Sequence, residues 1–178
     1  MKKIFLGLIM IVAVFSFSSC IKNAPKLLED TVIEFDATVL NTPATGRTYA
    51  ILTRVPTYGA AVAAANQTIT RGSGTIRFRV NIVGPQTSAD RIFTYKVADA
   101  ATNTAPTSTL LAEAGTHYTT PGSFIIAANS SFGEVVINIV NPGIANATPR
   151  VLILELVGNP EVPASVNYKF LGIQISQS

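Results

Sequence analysis

The chain has 178 residues, with 13 basic against 10 acidic side chains, one histidine, one cysteine and no tryptophan. That stock nearly excludes a zinc centre and leaves imidazole catalysis a single candidate, His117. The net charge of +3 is small and no basic patch with interleaved aromatics extends far enough to suggest nucleic acid, which is not expected as a partner.

In chain order, Met1-Lys2-Lys3 is followed by an apolar run from Ile4 to Phe17 and by the small residues Ser18 and Ser19. Spanning a hydrocarbon core takes about 20 residues, so the run is too short for a membrane helix. Its length and flanks are those of a secretion signal, and residues 1–19 are expected to be removed. Cys20, the only cysteine, then stands first. A lone cysteine directly after such a core resembles the lipobox of bacterial lipoproteins. Phe17, where leucine is commonest, gives it the looser form seen in Bacteroidetes. The resemblance implies that Cys20 is acylated on sulfur and amine and holds the protein to a membrane through lipid. Loss of Lys2 and Lys3 leaves 11 basic against 10 acidic residues, a charge of +1. No thiol then remains for a disulfide, a metal or catalysis.

The mature 159 residues suit one domain with a core. Residues 20–30 contain Pro25 and lack apolar periodicity, which predicts a tether, and residues 31–178 form a single domain. Within it the hydrophobic period is two. Ile33, Phe35, Ala37 and Val39 alternate with Glu34, Asp36 and Thr38, and Ile76, Phe78, Val80 and Ile82 alternate with Arg77, Arg79 and Asn81. Strands are also predicted over Arg47–Val55, Arg91–Ala98, Ser123–Ala127, Val135–Ile139, Val151–Val157 and Asn167–Ile175. Val151–Val157 is apolar on both faces, as a central strand would be. Turn chemistry at Gly72-Ser73-Gly74, Gly84-Pro85, Pro121-Gly122, Asn141-Pro142-Gly143 and Gly158-Asn159-Pro160 separates these runs. The alanine-rich stretch Gly59–Gln67 is read either as a short helix or as a loop with one helical turn. About eight strands with such punctuation predict an all-β sandwich.

From Phe93 to Val157 the sequence resembles the Calx-beta domains, immunoglobulin-like sandwiches. Phe93-Thr94-Tyr95-Lys96-Val97 matches the first strand, and Ala112-Glu113-Ala114-Gly115-Thr116-His117-Tyr118 the Gly-x-Asp-Tyr turn. Pro121-Gly122-Ser123-Phe124-Ile125-Ile126 matches the glycine-bounded strand, and Glu134–Val140 and Arg150–Val157 the apolar pair. The layout from Thr31 to Val83 is similar to uncharacterised Bacteroidetes lipoproteins that often sit among polysaccharide-uptake proteins. A calcium site does not carry over. His117 stands where the family has its turn aspartate, and the loop from Asn141 to Asn146 has no acid, whereas calcium takes six to eight oxygens. No calcium and no other cofactor are expected.

The remaining candidates are few. His117 beside Tyr118 reads more naturally as a structural hydrogen-bonder than as a catalyst, and no Gly-x-Ser-x-Gly is present; an enzyme is not expected. Glu34 and Asp36 share a strand face and could pair as glycosidase carboxylates, but a solvated face is the simpler reading. Arg77 and Arg79, with Arg71 upstream, form either an acid-binding patch or a basic face that keeps a sheet soluble and blocks edge pairing. Saccharides pack on exposed rings. Tyr58 and Tyr118 fall in predicted loops and are the candidate ligand contacts, while Tyr49, Tyr95 and Tyr168 are assigned to strands. Asp30-Thr31-Val32 resembles the O-glycosylation motif of exported Bacteroidetes proteins, which implies modification of Thr31.

Together these features predict a non-catalytic outer-membrane lipoprotein whose sandwich binds or supports an envelope protein. The alternative is a glycan-binding accessory of polysaccharide uptake. After Cys20 no acid appears until Glu29, which departs from the surface-export pattern of Bacteroidetes lipoproteins and favours a domain facing the periplasm.

Overall fold

The computed structural model describes residues 30–40, 42–99 and 101–178. The signal, most of the tether and Cys20 lie outside them. Ten strands make up the described fold: β1 (Val32–Phe35), β2 (Ile51–Leu52), β3 (Thr75–Val83), β4 (Arg91–Val97), β5 (Leu110–Leu111), β6 (Tyr118–Thr119), β7 (Ser123–Ile126), β8 (Phe132–Ile139), β9 (Arg150–Gly158) and β10 (Phe170–Ile175). They run β1-β3-β8-β7-β4-β9-β10-β2 in one curled sheet, with β5 on β9 and β6 on β8.

The curl is concentrated between β7 and β8, which pair only at Ile126 and Gly133. Beyond that point β7 continues with β4 and β8 with β3, so one sheet becomes two facing layers. Gly133 is required there: a Cβ on it would lie 2.5 Å from the Ile125 carbonyl oxygen and 3.0 Å from the Phe124 ring. Between the layers, alternate residues meet as period two demands. Phe35, Phe78, Ile137, Phe93, Leu154 and Ile173 are all buried. Phe93 and Phe124 stack at 5.6 Å between ring centroids.

β9 is central, as its sequence predicts. It is flanked by β4 and β5 on one side and by β10 on the other. Leu152, Leu154 and Leu156 enter the main core. Val151 and Ile153 pack on the opposite face with Tyr49 and Ala98. The outer edge of β1 is covered by the connection between β9 and β10: Ile33 donates to the Pro163 carbonyl at 3.0 Å and Phe35 to that of Tyr168 at 3.0 Å.

Two expectations need correction and two are made definite. The strand predicted through Val39 stops at Phe35, because Asp36 turns the chain: its carboxylate accepts from the Thr38 N–H at 3.1 Å and hydroxyl at 2.7 Å. Val39 and Leu40 then fold back into the core. Of Arg47–Val55 only Ile51–Leu52 is strand, since Thr53 and Val55 hydrogen-bond to residues 67–69 instead of to β10. The stretch 59–67 contains no helix. Asn66 braces it as a loop, accepting from the Ala63 N–H at 2.7 Å and donating to Thr57 at 3.0 Å. The all-β fold expected with about eight strands has ten, the two-residue β5 and β6 among them.

Candidate functional site

The outer face of β3 and β8 is assembled by strand register. Arg79 lies opposite Glu134, Asn81 opposite Phe132 and Arg77 opposite Val136. The loop after β2 folds onto this face and delivers Tyr58, whose hydroxyl donates to Glu134 Oε1 at 2.5 Å. Glu134 Oε2 accepts from Arg77 at 3.1 Å. The Arg79 guanidinium sits 4.1 Å from the Phe132 ring centroid and 6.0 Å from that of Tyr58, and its Nε donates to Asn81 at 2.7 Å. Burial first, then the hydrogen bond to the Glu134 carboxylate, pushes the Tyr58 phenol well above its usual value of 10.0, so it stays a neutral donor. Tyr58 is 36% and Phe132 41% exposed. A cation fixed between two half-exposed rings, beside a carboxylate that accepts from two donors, can hold a partner's ring, amide or acid without first being ordered.

Beneath Tyr58 and Arg79 a crevice of about 10 Å³, space for one water, reaches Phe35, Asp36 and Phe78. Asp36 is buried there rather than solvated as its strand pattern predicted. Burial raises its pKa, but the Thr38 hydroxyl, the Gly59 and Thr38 N–H groups and Arg79 outweigh that and hold the carboxyl below its ordinary 3.8. Glu34 is raised above 4.5, chiefly by burial. The two carboxylates do not frame a cleft between them, and the crevice has no room for a glycosidic bond.

The two tyrosines named as ligand contacts part company. Tyr58 is on the surface at the cluster just described, whereas Tyr118 belongs to β6 and is 4% exposed. Tyr118 therefore presents no ring face, and its assignment to a loop is corrected. His117 is also buried. Its Nδ1 accepts from the Glu113 N–H at 3.1 Å, which makes it the structural hydrogen-bonder its context suggested. The reading of Arg77 and Arg79 as edge blockers fails, because β3 lies between β1 and β8. Arg71 leaves the patch and bonds to Asn141 at 3.1 Å. Thr31 is half-buried, its side chain close against Gly84. Among the described residues no three of His, Cys, Asp and Glu come together to hold a metal. Sequence reasoning missed Phe132 and Glu134 as site residues. Their only signal was alternation in register with the arginines, which becomes visible once the β3–β8 pairing is known.

No protein-family model and no curated protein matches the sequence. Among solved structures the chain is similar to a two-domain protein of unknown function from Bacteroides fragilis, at 12% identity and a TM-score of 0.54 over 84% of this chain and 46% of that one. It is also similar to the apo-form Calx CBD1 domain, at 14% identity and a TM-score of 0.47 over 62% of this chain and 88% of that one. A putative carbohydrate binding protein from Bacteroides ovatus aligns at 12% identity and a TM-score of 0.42, over 60% of this chain and 32% of that one. This chain thus spans less than half of either Bacteroides protein. At such identity the likeness to the Bacteroides fragilis protein is one of fold alone.

Proposed function

We propose that this protein is a lipoprotein of the cell envelope, held to the outer membrane through lipidated Cys20, whose β-sandwich is a non-catalytic module that binds another envelope protein. The contact surface in this reading is the outer face of β3 and β8. The observation that carries it is the arrangement of Arg79 over Phe132 and beside Tyr58, with Glu134 between Tyr58 and Arg77. Tyrosine and arginine dominate the energetics of protein interfaces, and here both are fixed before binding, which lowers the entropic cost of association. The signal-like residues 1–19 and the lone Cys20 support the anchor. The lack of an acid before Glu29 supports a domain facing the periplasm.

Photocrosslinking in intact envelopes tests the reading. With Phe132 replaced by a benzoyl-phenylalanine, one discrete protein adduct is expected, and Arg79→Glu should suppress it. The same probe at Val166, 87% exposed and far along the chain, should give none. Equal labelling at both positions, or an adduct indifferent to Arg79→Glu, would remove this face from the account.

A further inference from the structure

A second concavity lies apart from the Tyr58 face, where the chain segments leading into β2 and β10 meet. It encloses 270 Å³, and its walls include Pro43, Thr48, Tyr49, Asn167, Tyr168 and Phe170. The sequence placed Tyr49 and Tyr168 in strands; both stand outside them, just before β2 and β10.

Two of the three rings, Tyr49 and Phe170, are held in place. Tyr49 packs on Phe170 at 5.7 Å and 44°, and its hydroxyl accepts from Arg47 at 2.7 Å and donates to the Thr102 carbonyl at 3.2 Å. Lys169 lies 4.9 Å from the Phe170 ring centroid and is itself tied to Glu155 at 2.9 Å. The polar side chains, by contrast, are free: those of Thr48, Asn167 and Tyr168 have no hydrogen-bond partner among the described residues. No ionised side chain lines the cleft.

Fixed aromatic faces beside unengaged hydroxyl and amide groups, without charge, match one ligand chemistry closely. A pyranose carries an apolar C–H face that packs on a flat ring and hydroxyls that both donate to and accept from amides and hydroxyls. The volume falls near the lower end of small-molecule sites, about 300 Å³, which suits one ring rather than a buried chain. We propose that this cleft binds one pyranose unit of a neutral glycan, with the Tyr168 ring as the platform, Phe170 as part of the wall and Asn167 and Thr48 as the hydroxyl readers. The inference is independent of the Tyr58 face.

The test uses the full lipidated chain in a detergent without a sugar headgroup. It is titrated calorimetrically with the hexasaccharides of maltose, cellulose, mannan and xylan type, and with an oligoglucuronate. At least one neutral hexasaccharide should bind. Asn167→Ala and Tyr168→Ala should each weaken it at least about tenfold, a loss of about 1.4 kcal/mol, whereas Tyr168→Phe, which keeps the ring, should weaken it less. Arg79→Ala, on the other face, should leave it unchanged. Melting curves confirm that each variant folds. Asn167 is exposed, so its variant decides the matter should Tyr168→Ala unfold. Failure of every neutral sugar to bind, binding of the oligoglucuronate alone, or affinity untouched by both alanine variants overturns the proposal.

Discussion

The Tyr58 hydroxyl and the Glu134 carboxylate, 76 positions apart in sequence, meet at 2.5 Å, and this contact fixes the loop after β2 to the face of β3 and β8. A hydrogen bond to an ionised group contributes about 1.5–3 kcal/mol, reduced here because both partners are partly solvated. Tyr58→Phe and Glu134→Gln should each cost about 1 kcal/mol, and the double variant should cost less than their sum. Urea unfolding of the four proteins measures the coupling; strict additivity would mean the contact contributes nothing. Burial and Glu134 both disfavour the Tyr58 phenolate and burial also raises Tyr118, so two tyrosines should titrate above the ordinary range in an ultraviolet pH titration, and Tyr58→Phe should remove one of the two.

Glu34 and Asp36 should affect stability with opposite signs. The Asp36 pKa is lower in the folded protein than its ordinary 3.8. Its ionised form therefore contributes stability that is present above that value and lost as the pH falls through the folded one. Glu34 is raised above 4.5 by burial, against the hydrogen bond from Ser165 and with the charge of Asp36 adding to the rise. Its ionisation opposes folding above its folded pKa, and that opposition is gone below 4.5. At pH 7, Asp36→Asn should lower stability by about 1–3 kcal/mol, while Glu34→Gln should leave it level or raise it. Denaturant titrations at pH 3, 5 and 7 compare them, and a larger loss for Glu34→Gln would contradict this account.

Gly133→Ala should be costly although the glycine's φ is ordinary. The added methyl would meet the Ile125 carbonyl oxygen at 2.5 Å, so the β7–β8 corner must open. Overpacking of this kind costs about 1–3 kcal/mol. Gly72→Ala is the control, since its Cβ would meet nothing nearer than 3.8 Å, and it should stay within about 0.5 kcal/mol. Similar melting temperatures for the two variants would show that the corner has slack.

Cys20→Ala should release the protein from membranes with its fold intact. Stable anchoring takes two lipid signals, and no other residue of the tether offers one. Fractionation after a salt wash, with circular dichroism of the released protein, checks both halves. A variant that stays with the membrane would refute lipidation as the anchor. Added protease should spare the wild-type domain in intact cells if it faces the periplasm, because a tether of the kind its sequence predicts would be cut where protease can reach it.

Legibility in the sequence followed the range of the interactions. Alternation within β3, β8 and β9 is local, and period two places Ile76, Phe78, Ile137 and Leu154 inside whatever the partner strands are. Both-face apolarity likewise marked β9 as central, while the layout from Phe93 to Val157 was what the resemblance to Calx-beta domains implied. Terminations were less legible. Asp36 ends β1 through bonds to Thr38 that compete with the strand ladder, and its other carboxylate oxygen accepts from Gly59, 23 residues on.

Tyr58 was named from the chemistry of an exposed ring alone, but nothing local distinguishes it from Tyr118, which β8 buries through its pairing with β6. Register decided that Phe132 and Glu134 stand beside Asn81 and Arg79. The meeting of segments remote in sequence decided that Tyr49 and Phe170 share a cleft. Strand character, the apolar core and the lone cysteine behind a signal-like run could be read directly, because each is written in neighbouring residues. Which side chains form a site emerged with the folded chain, because strand pairing and loop packing join residues whose separation in the chain carries no record of their contact.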